Sequence, residues 1–381
     1  MTRKIKVAQL VLSFDIGGLE RLVANYLSAI DRNAFDITVG CLERRGTLAG
    51  EVEKLGIPVT TFDKRDGVEL GVIPRIGRWL GNERVDVMHT HNAAAHFYGA
   101  AGAKFARIRT TIHTKHGRDW PDNPRKVLLN RLSALMTTKL VTVSQNGYEV
   151  ARTIEKVPAR KLAVIHNGVD TTRYAPARGA RRHPALAGIP PGAPVVATVA
   201  RLSPEKDQRT LLEAFAILCE RHEDCFLVLA GDGPSRNELE AFARGLPCAE
   251  RILFLGTIDT VAELLGGVSV FALTSVTEGI SLALLEAGAS GVPAVVTDAG
   301  GNTEVVVDGE TGYVVAPQRP REIAEKIHAL LSDPSLRGEI GARARTRVER
   351  HFSLESMVRQ YESLYRTLYR RTGGAGEGSA P

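Results

Sequence analysis

Several common chemistries lack their residues in this chain of 381 amino acids. Only four cysteines occur, Cys41, Cys219, Cys225 and Cys248, and no two form a C-x-x-C pair. That excludes a disulfide scaffold and fits a reducing, cytoplasmic setting. No apolar run approaches the ~20 residues needed to cross a bilayer. The opening stretch MTRKIKVAQLVLSFDIGG sets a basic cluster before an apolar run. The run is short, has no small-residue cleavage site and meets Asp15 and a Gly-Gly pair, so it reads as a first buried strand and not as a signal peptide. D-x-D, H-E-x-x-H and G-x-G-x-x-G are all missing; GDGPSR fails the last pattern at its final position, and DIGGLE has the wrong spacing. No RRM, KH or zinc-knuckle pattern points to nucleic acid.

What remains is ordinary globular composition, 44% hydrophobic and 24% charged, which excludes general disorder. At ~150 residues per domain the length suggests two or three domains. The net charge of +6 is uneven: residues 1–175 carry 27 Lys and Arg against 17 Asp and Glu, and residues 176–381 carry 22 against 26. A basic first half suits an anionic partner such as phospholipid headgroups, a lipid-linked phosphate or an acidic glycan. It is also what a solvated, Arg-rich surface looks like, and no run is dense enough to act as a polybasic segment.

Short β-branched runs alternate with amphipathic helical patterns. KVAQLVLS, FDITVGCL, VDVMHTH, RTTIHT, KLVTVSQ and LAVIHNGV occupy the first half; PVVATVARL, CFLVLAGDG, RILFLGT, SVFALTS, PAVVTDAG and GYVVAP occupy the second. Their continuous apolar character predicts parallel sheets covered on both faces by helices. The Pro-, Gly- and Arg-rich stretch around 176–194 reads as a linker. The expected plan is therefore a domain over 1–175, a linker over 176–194, a second domain over 195–352, a helix over 353–371 returning to the first domain, and a disordered tail over 372–381.

Chemistry-bearing residues gather at strand ends. In TSVTEGISLALLEAGAS, Glu278 and Gly279 fall in a strand-to-helix loop, and Ser281 is the expected N-cap of the helix that carries Glu286. Backbone N–H groups at such a helix start form an anion site. Carboxylates flanking it would repel the anion, so they suit hydroxyls, such as those of a sugar and a ribose. In ARLSPEKDQ, Arg201 and Lys206 stand between a strand and a helix, where positive charge is unfavourable unless an anion sits there. Both side chains are expected to face an open cleft. Gly231, Asp232 and Gly233 form one Gly-rich turn, AGGNTE another, and Gly17 and Gly18 a third. His89, His91, His96, His113 and His116 crowd the first half. A metal hydrolase is one reading of them; strand-end histidines lining an acceptor site is the better one, because no carboxylate completes the H-x-H beyond Asp86.

Together these motifs resemble glycosyltransferase family 4, the retaining, metal-independent, glycogen-synthase-like group. The resemblance covers nearly the whole chain: the Gly-Gly loop, HNGVDTTRY, RLSPEKD, GDGP, the E-x7-E in EGISLALLE, and the returning helix. It implies an α/β GT-B architecture, two Rossmann-like domains with parallel sheets facing a central cleft. It implies that Arg201 and Lys206 neutralise a donor diphosphate, that Glu286 binds ribose, and that Glu278 with Gly279, Ile280 and Ser281 holds the transferred sugar and distal phosphate. Gly17 and Gly18 would close over the phosphates. The family carries a His at an N-domain strand end near the donor sugar; His116, followed by Gly117, fits that form better than His113. Asn92, His96, His113, Arg118, Asp119 and Trp120 are the acceptor-side candidates. Ile280 replaces a frequent aromatic and Leu354 a frequent Trp. No metal or other cofactor is implied. The substrate would be a nucleoside-diphosphate sugar, with UDP-sugar favoured, and the acceptor a glycan, lipid-linked or small-molecule hydroxyl, used in glycan, glycolipid or exopolysaccharide synthesis. Peripheral contact with the anionic inner membrane face would go with such an acceptor. A non-hydrolysing nucleotide-sugar epimerase and a non-catalytic nucleotide-sugar-binding protein are the alternatives.

Overall fold

A computed structural model describes residues 3–15, 17–117, 124–176 and 183–373. The chain forms two compact units. The first joins residues up to Gly168 with the segment from Leu354 onward; the second is continuous over Val169–Ser353. The boundary therefore falls before 175: Val169 and Tyr174 lie in the apolar core of the second unit. Part of the expected linker is also core, because Leu186 and Ile189 pack under that unit's sheet with Val195 and Val228. Apolar side chains spaced within a Pro- and Gly-rich stretch were enough to dock it.

The first unit is built on seven parallel strands: β1 (Ile5–Ser13), β2 (Phe35–Arg44), β3 (Val59–Thr61), β4 (Val87–Thr90), β5 (Thr110–Lys115), β6 (Lys139–Thr142) and β7 (Leu162–Val164), in the order β3-β2-β1-β4-β5-β6-β7. Six match the apolar runs of the sequence. The seventh, β3, has three residues, too few to show a period. The second unit holds six parallel strands: β8 (Val195–Val199), β9 (Phe226–Ala230), β10 (Ile252–Gly256), β11 (Val270–Leu273), β12 (Ala294–Thr297) and β13 (Gly312–Val315), in the order β10-β9-β8-β11-β12-β13. In each sheet the first strand lies centrally and the order reverses beside it, between β1 and β4 and between β8 and β11. Such switch points leave a crevice beyond the carboxyl ends of the strands, where ligands bind in open α/β sheets.

The helix Leu354–Arg371 packs within the first unit. Its Tyr361 and Tyr365 are fully buried, Glu362 accepts a hydrogen bond from the Asp31 amide, and Met357 lies against the Gly168 amide. Thr372, expected in a disordered tail, is held: its carbonyl accepts from Arg109 and its hydroxyl meets that of Thr110 at 3.1 Å. Residues 374–381 lie outside the described residues.

Candidate active site

In the second unit, four loops meet at the carboxyl ends of β9, β8, β11 and β12. The loop after β8 carries Arg201, exposed, and then a short turn over Pro204–Lys206. Asp207 ends the turn in the left-handed region, φ 45°, and its carboxylate accepts from the Thr210 hydroxyl at 2.7 Å, capping the helix Gln208–Leu218. Thr274, after β11, donates its hydroxyl to the Asp207 carbonyl at 2.9 Å, and the Val276 amide donates to the Glu205 carbonyl. The two loops are thus stitched together.

That stitching brings Lys206 to Glu278. Lys206 Nζ lies 2.5 Å from Glu278 Oε1, and Ser275 Oγ donates to the same oxygen at 2.8 Å. The Glu278 side chain is 7% exposed and that of Lys206 20%. Lys206 is therefore not the cation without a structural partner that the sequence suggests; it neutralises a buried carboxylate 72 residues away. Both bonds fall on Oε1, and among the described residues none is made to Oε2.

Gly279 begins the turn into the helix Leu282–Ala289, whose N-cap is Ser281, accepting from the Leu284 amide at 3.4 Å. Glu286 stands one turn further along, on the same short helix. Ile280 is a different case: its side chain is 4% exposed and belongs to the apolar core, so only its backbone faces the loop. Close backbone approach explains two of the glycines. At Gly231, φ 137°, a β-carbon would sit 1.9 Å from the Ala200 carbonyl oxygen, and at Gly300, φ 56°, 2.0 Å from that of Glu278. Any side chain there would force apart the loops that hold Arg201 and Glu278. Gly233 packs likewise against Leu202. Asp232 between them is committed to the turn. It accepts from the Gly233 amide at 2.7 Å and pairs with Arg236 at 2.8 Å, and these bonds hold its carboxyl below the usual range.

These five histidines lie in the first unit, His89, His91, His113 and His116 in or just after β4 and β5 and His96 on the helix Ala93–Phe105. His113 is buried inside β5. Its ring stacks on His96 at 3.8 Å, and its Nδ1 lies 3.1 Å from the Thr90 carbonyl, which can only accept, so Nδ1 carries the proton. This is a packing residue: with the ring at 4% exposure, it offers no edge to an acceptor. Asn92 caps the helix Ala93–Phe105, accepting from the Ala95 amide at 3.2 Å, so that oxygen too is committed. Thr137 donates to the Ser133 carbonyl, so His96 Nε2 must donate to Thr137. Arg118, Asp119 and Trp120 lie outside the described residues.

His116 follows β5 and is partly buried. Its Nε2 lies 3.0 Å from His91 Nδ1, His91 Nε2 lies 2.7 Å from Gln9 Oε1, and Gln9 Nε2 donates to Tyr365 Oη. The direction of this chain is fixed by the amide. Gln9 Oε1 can only accept, so His91 Nε2 carries a proton and Nδ1 a lone pair; His116 Nε2 must then donate, leaving His116 Nδ1 unprotonated. That Nδ1 is buried and, among the described residues, makes no hydrogen bond of ordinary geometry. A cavity of about 10 Å³, room for one water, lies among His89, His91, His116, Tyr26 and Tyr361. Burial pushes His116 down to about 4, with Asn167 acting against it, and pushes His89 and His96 down to about 3. His91 and His113 are lowered by burial and by their neighbouring histidines. All five rings are neutral at pH 7.

Gly17 is the N-cap of the helix Gly18–Ala29. A β-carbon there would meet the Glu20 carboxylate, which folds back beside the helix start; burial, with Asp15 nearby, raises the Glu20 carboxyl above its ordinary range.

The sequence missed Thr274, Gln9 and Tyr365 because each acts through a partner far along the chain, and it missed Ser275 as well. Only Ser275, three residues before Glu278, carried a local signal.

Two parallel sheets with these switch points are the Rossmann-like domains of the GT-B fold, and the structural neighbours have that fold. Anabaena HepE in complex with UDP aligns with TM-score 0.82 at 22% identity, over 95% of this chain and 100% of that one. Sucrose-phosphate synthase from Thermosynechococcus elongatus aligns with TM-score 0.77 at 20% identity, over 97% and 100%. The family model "Glycosyltransferase Family 4" matches residues 16–173, and "Glycosyl transferases group 1" matches residues 181–347. The chain belongs to glycosyltransferase family 4 and is a glycosyltransferase. Its relatives include the Escherichia coli UDP-Gal:alpha-D-GlcNAc-diphosphoundecaprenol alpha-1,3-galactosyltransferase, 26% identical over 95% of this chain and 97% of that protein. The N-acetyl-alpha-D-glucosaminyl L-malate synthase of Bacillus anthracis is 29% identical over 79% and 80%.

Proposed function

We propose that the chain moves a sugar from a UDP-sugar to a hydroxyl acceptor, with retention of anomeric configuration and without a metal ion. The observation that carries this reading is the Lys206–Glu278–Ser275 cluster beside the N-terminus of the Leu282–Ala289 helix, with Arg201 exposed on the adjoining loop. Breaking the anomeric C–O bond leaves an oxocarbenium-like sugar and a nucleoside diphosphate gaining negative charge. Arg201, Lys206 and the helix N–H groups meet that charge where it develops, an effect of roughly 3–4 kcal/mol per donor. Glu278 Oε2 accepts a sugar hydroxyl, while Glu286 holds the ribose. Gly17, Gly18, Gly231 and Gly233 contribute backbone, and Ile280 does so through its N–H alone.

His116 acts on the donor sugar as a neutral ring. An imidazolium would oppose the developing oxocarbenium charge, whereas a ring lowered to about 4 is an uncharged acceptor. The uridine assignment is supported by HepE, solved with UDP and with UDP-glucose, and by the E. coli relative, which uses UDP-Gal. That relative's diphosphoundecaprenol acceptor supports a lipid-linked hydroxyl.

The test is a thermal-shift screen with UDP, GDP, ADP and dTDP in excess EDTA. UDP at a hundred times its Kd should stabilise the protein by about 2.7 kcal/mol. A shift with another diphosphate alone changes the donor. Loss of the UDP shift in EDTA, restored by Mn²⁺, removes the metal-free reading. Retention is read from the anomeric coupling constant of the product.

A further inference from the structure

At the opposite ends of the strands from His116, where β5, β6 and β7 begin, the first unit has a groove of about 570 Å³. Lys104, Arg107, Arg109, Arg160 and Lys161 line it together with Leu135, and among the described residues no carboxylate does. Some of this charge has local work. Lys161 donates to the carbonyls of Ala134 and Leu135 and Arg109 to that of Thr372, where cations meet the negative ends of helix dipoles. Lys104, Arg107 and Arg160 make no ion pair among the described residues. Crowding leaves its mark: burial, then Arg160 and Lys104, lower Lys161, and burial, then Arg371, lower Lys139.

A second observation adjoins it. The helix Pro124–Met136 exposes Leu128, Leu132 and Leu135 at 57%, 47% and 69%. Steps of four and three residues put them on one face, and Leu135 belongs to both the stripe and the groove.

We propose that this face, the basic groove with its leucine stripe, docks the protein on an anionic phospholipid bilayer. The combination selects that partner. A free phosphate would use the cations and leave the leucines in water. A second copy of the chain meeting the same face would set like charges against each other. Single-stranded nucleic acid wants aromatic stacking platforms that the lining lacks. An anionic interface takes both, with cations at the headgroups and leucines at the acyl boundary. Contact would be peripheral, since among the described residues no helix is long and apolar enough to cross a membrane. The proposal is independent of the transfer chemistry above.

The experiment is flotation of the full chain with phosphatidylglycerol-rich or pure phosphatidylcholine vesicles across a salt series. Binding should be confined to the anionic vesicles and weaken as salt rises. Arg107→Glu with Arg160→Glu should weaken it about tenfold or more. Leu132→Gln with Leu135→Gln should abolish the fraction that survives high salt, with an unchanged melting temperature. If the leucine pair misfolds, Lys104→Gln with Arg107→Gln carries the test. Equal binding to both vesicle types, or full binding by the charge-reversed protein, overturns the proposal. So does release from vesicles by millimolar inorganic phosphate, or a dimer that the leucine variants dissolve.

Discussion

Arg201 and Lys206 look equivalent in RLSPEKD, yet the structure sets them apart. Arg201 is exposed; Lys206 neutralises Glu278, which is nearly buried. Arg201→Ala should lower kcat on the order of 10²-fold and leave melting unchanged. Lys206→Ala should do the same to kcat and also cost about 2–3 kcal/mol of stability, because it strands a desolvated carboxylate. Kinetics beside thermal denaturation of both variants checks this; equal melting temperatures would mean the ion pair has no structural share. The sequence offered these residues as candidates, since E-x7-E, RLSPEKD and GDGP are local patterns. It did not show the pairing, which depends on β8 and β11 lying side by side. Nor did it show that Ile280 faces inward or that Asp232 is consumed by Arg236, because burial and partner choice are tertiary properties.

At the scale of elements, β4, β5, the turns that follow them and the helix Ala93–Phe105 carry five neutral histidines into the interior. Unfolded, each would titrate near 6.5; folded, His116 does so at about 4 and His89 and His96 at about 3. The unfolded chain therefore binds more protons, and stability rises with pH in this range. The contribution is complete above about pH 6.5 and is lost as pH falls through the folded values, by up to about 1.4 kcal/mol per pH unit for each ring. The two tryptophans, Trp79 and Trp120, both precede Gly168, so their fluorescence reports the first unit alone. Its melting temperature should fall steadily from pH 7 to pH 5. A flat profile would show that these rings charge without cost. The alternation of strands and helices was legible because a parallel sheet buries continuous apolar runs. β3 was not, being three residues long, and neither was the histidine network, whose links run from β1 to the last helix.

At the scale of the molecule, the first unit is discontinuous and the second is not. Cutting the chain after Ser353 would remove Tyr361 and Tyr365, and with them the hydroxyls that hold Gln9, Thr114 and His89. The first unit should then lose its cooperative fluorescence transition, while residues 169–353 remain a protease-resistant core. Limited proteolysis followed by mass spectrometry reads both; a truncated chain that melts like the full one would show the helix to be an accessory. The expected linker at 176–194 was misjudged for a related reason. Composition marks a break in periodicity, but the true border lies where contacts change sides, at Gly168.

Translation gives this discontinuity a temporal meaning. Ribosomes emit the first 168 residues early, but their sheet waits for Leu354–Arg371 while residues 169–353 are made, on the order of 10–40 s at ~5–20 residues per second. The later-starting unit can finish first. Through that interval the face destined for Tyr361 and Tyr365 stands open on the nascent chain, a site for chaperone engagement. A message broken before codon 354 yields a product that can never close it.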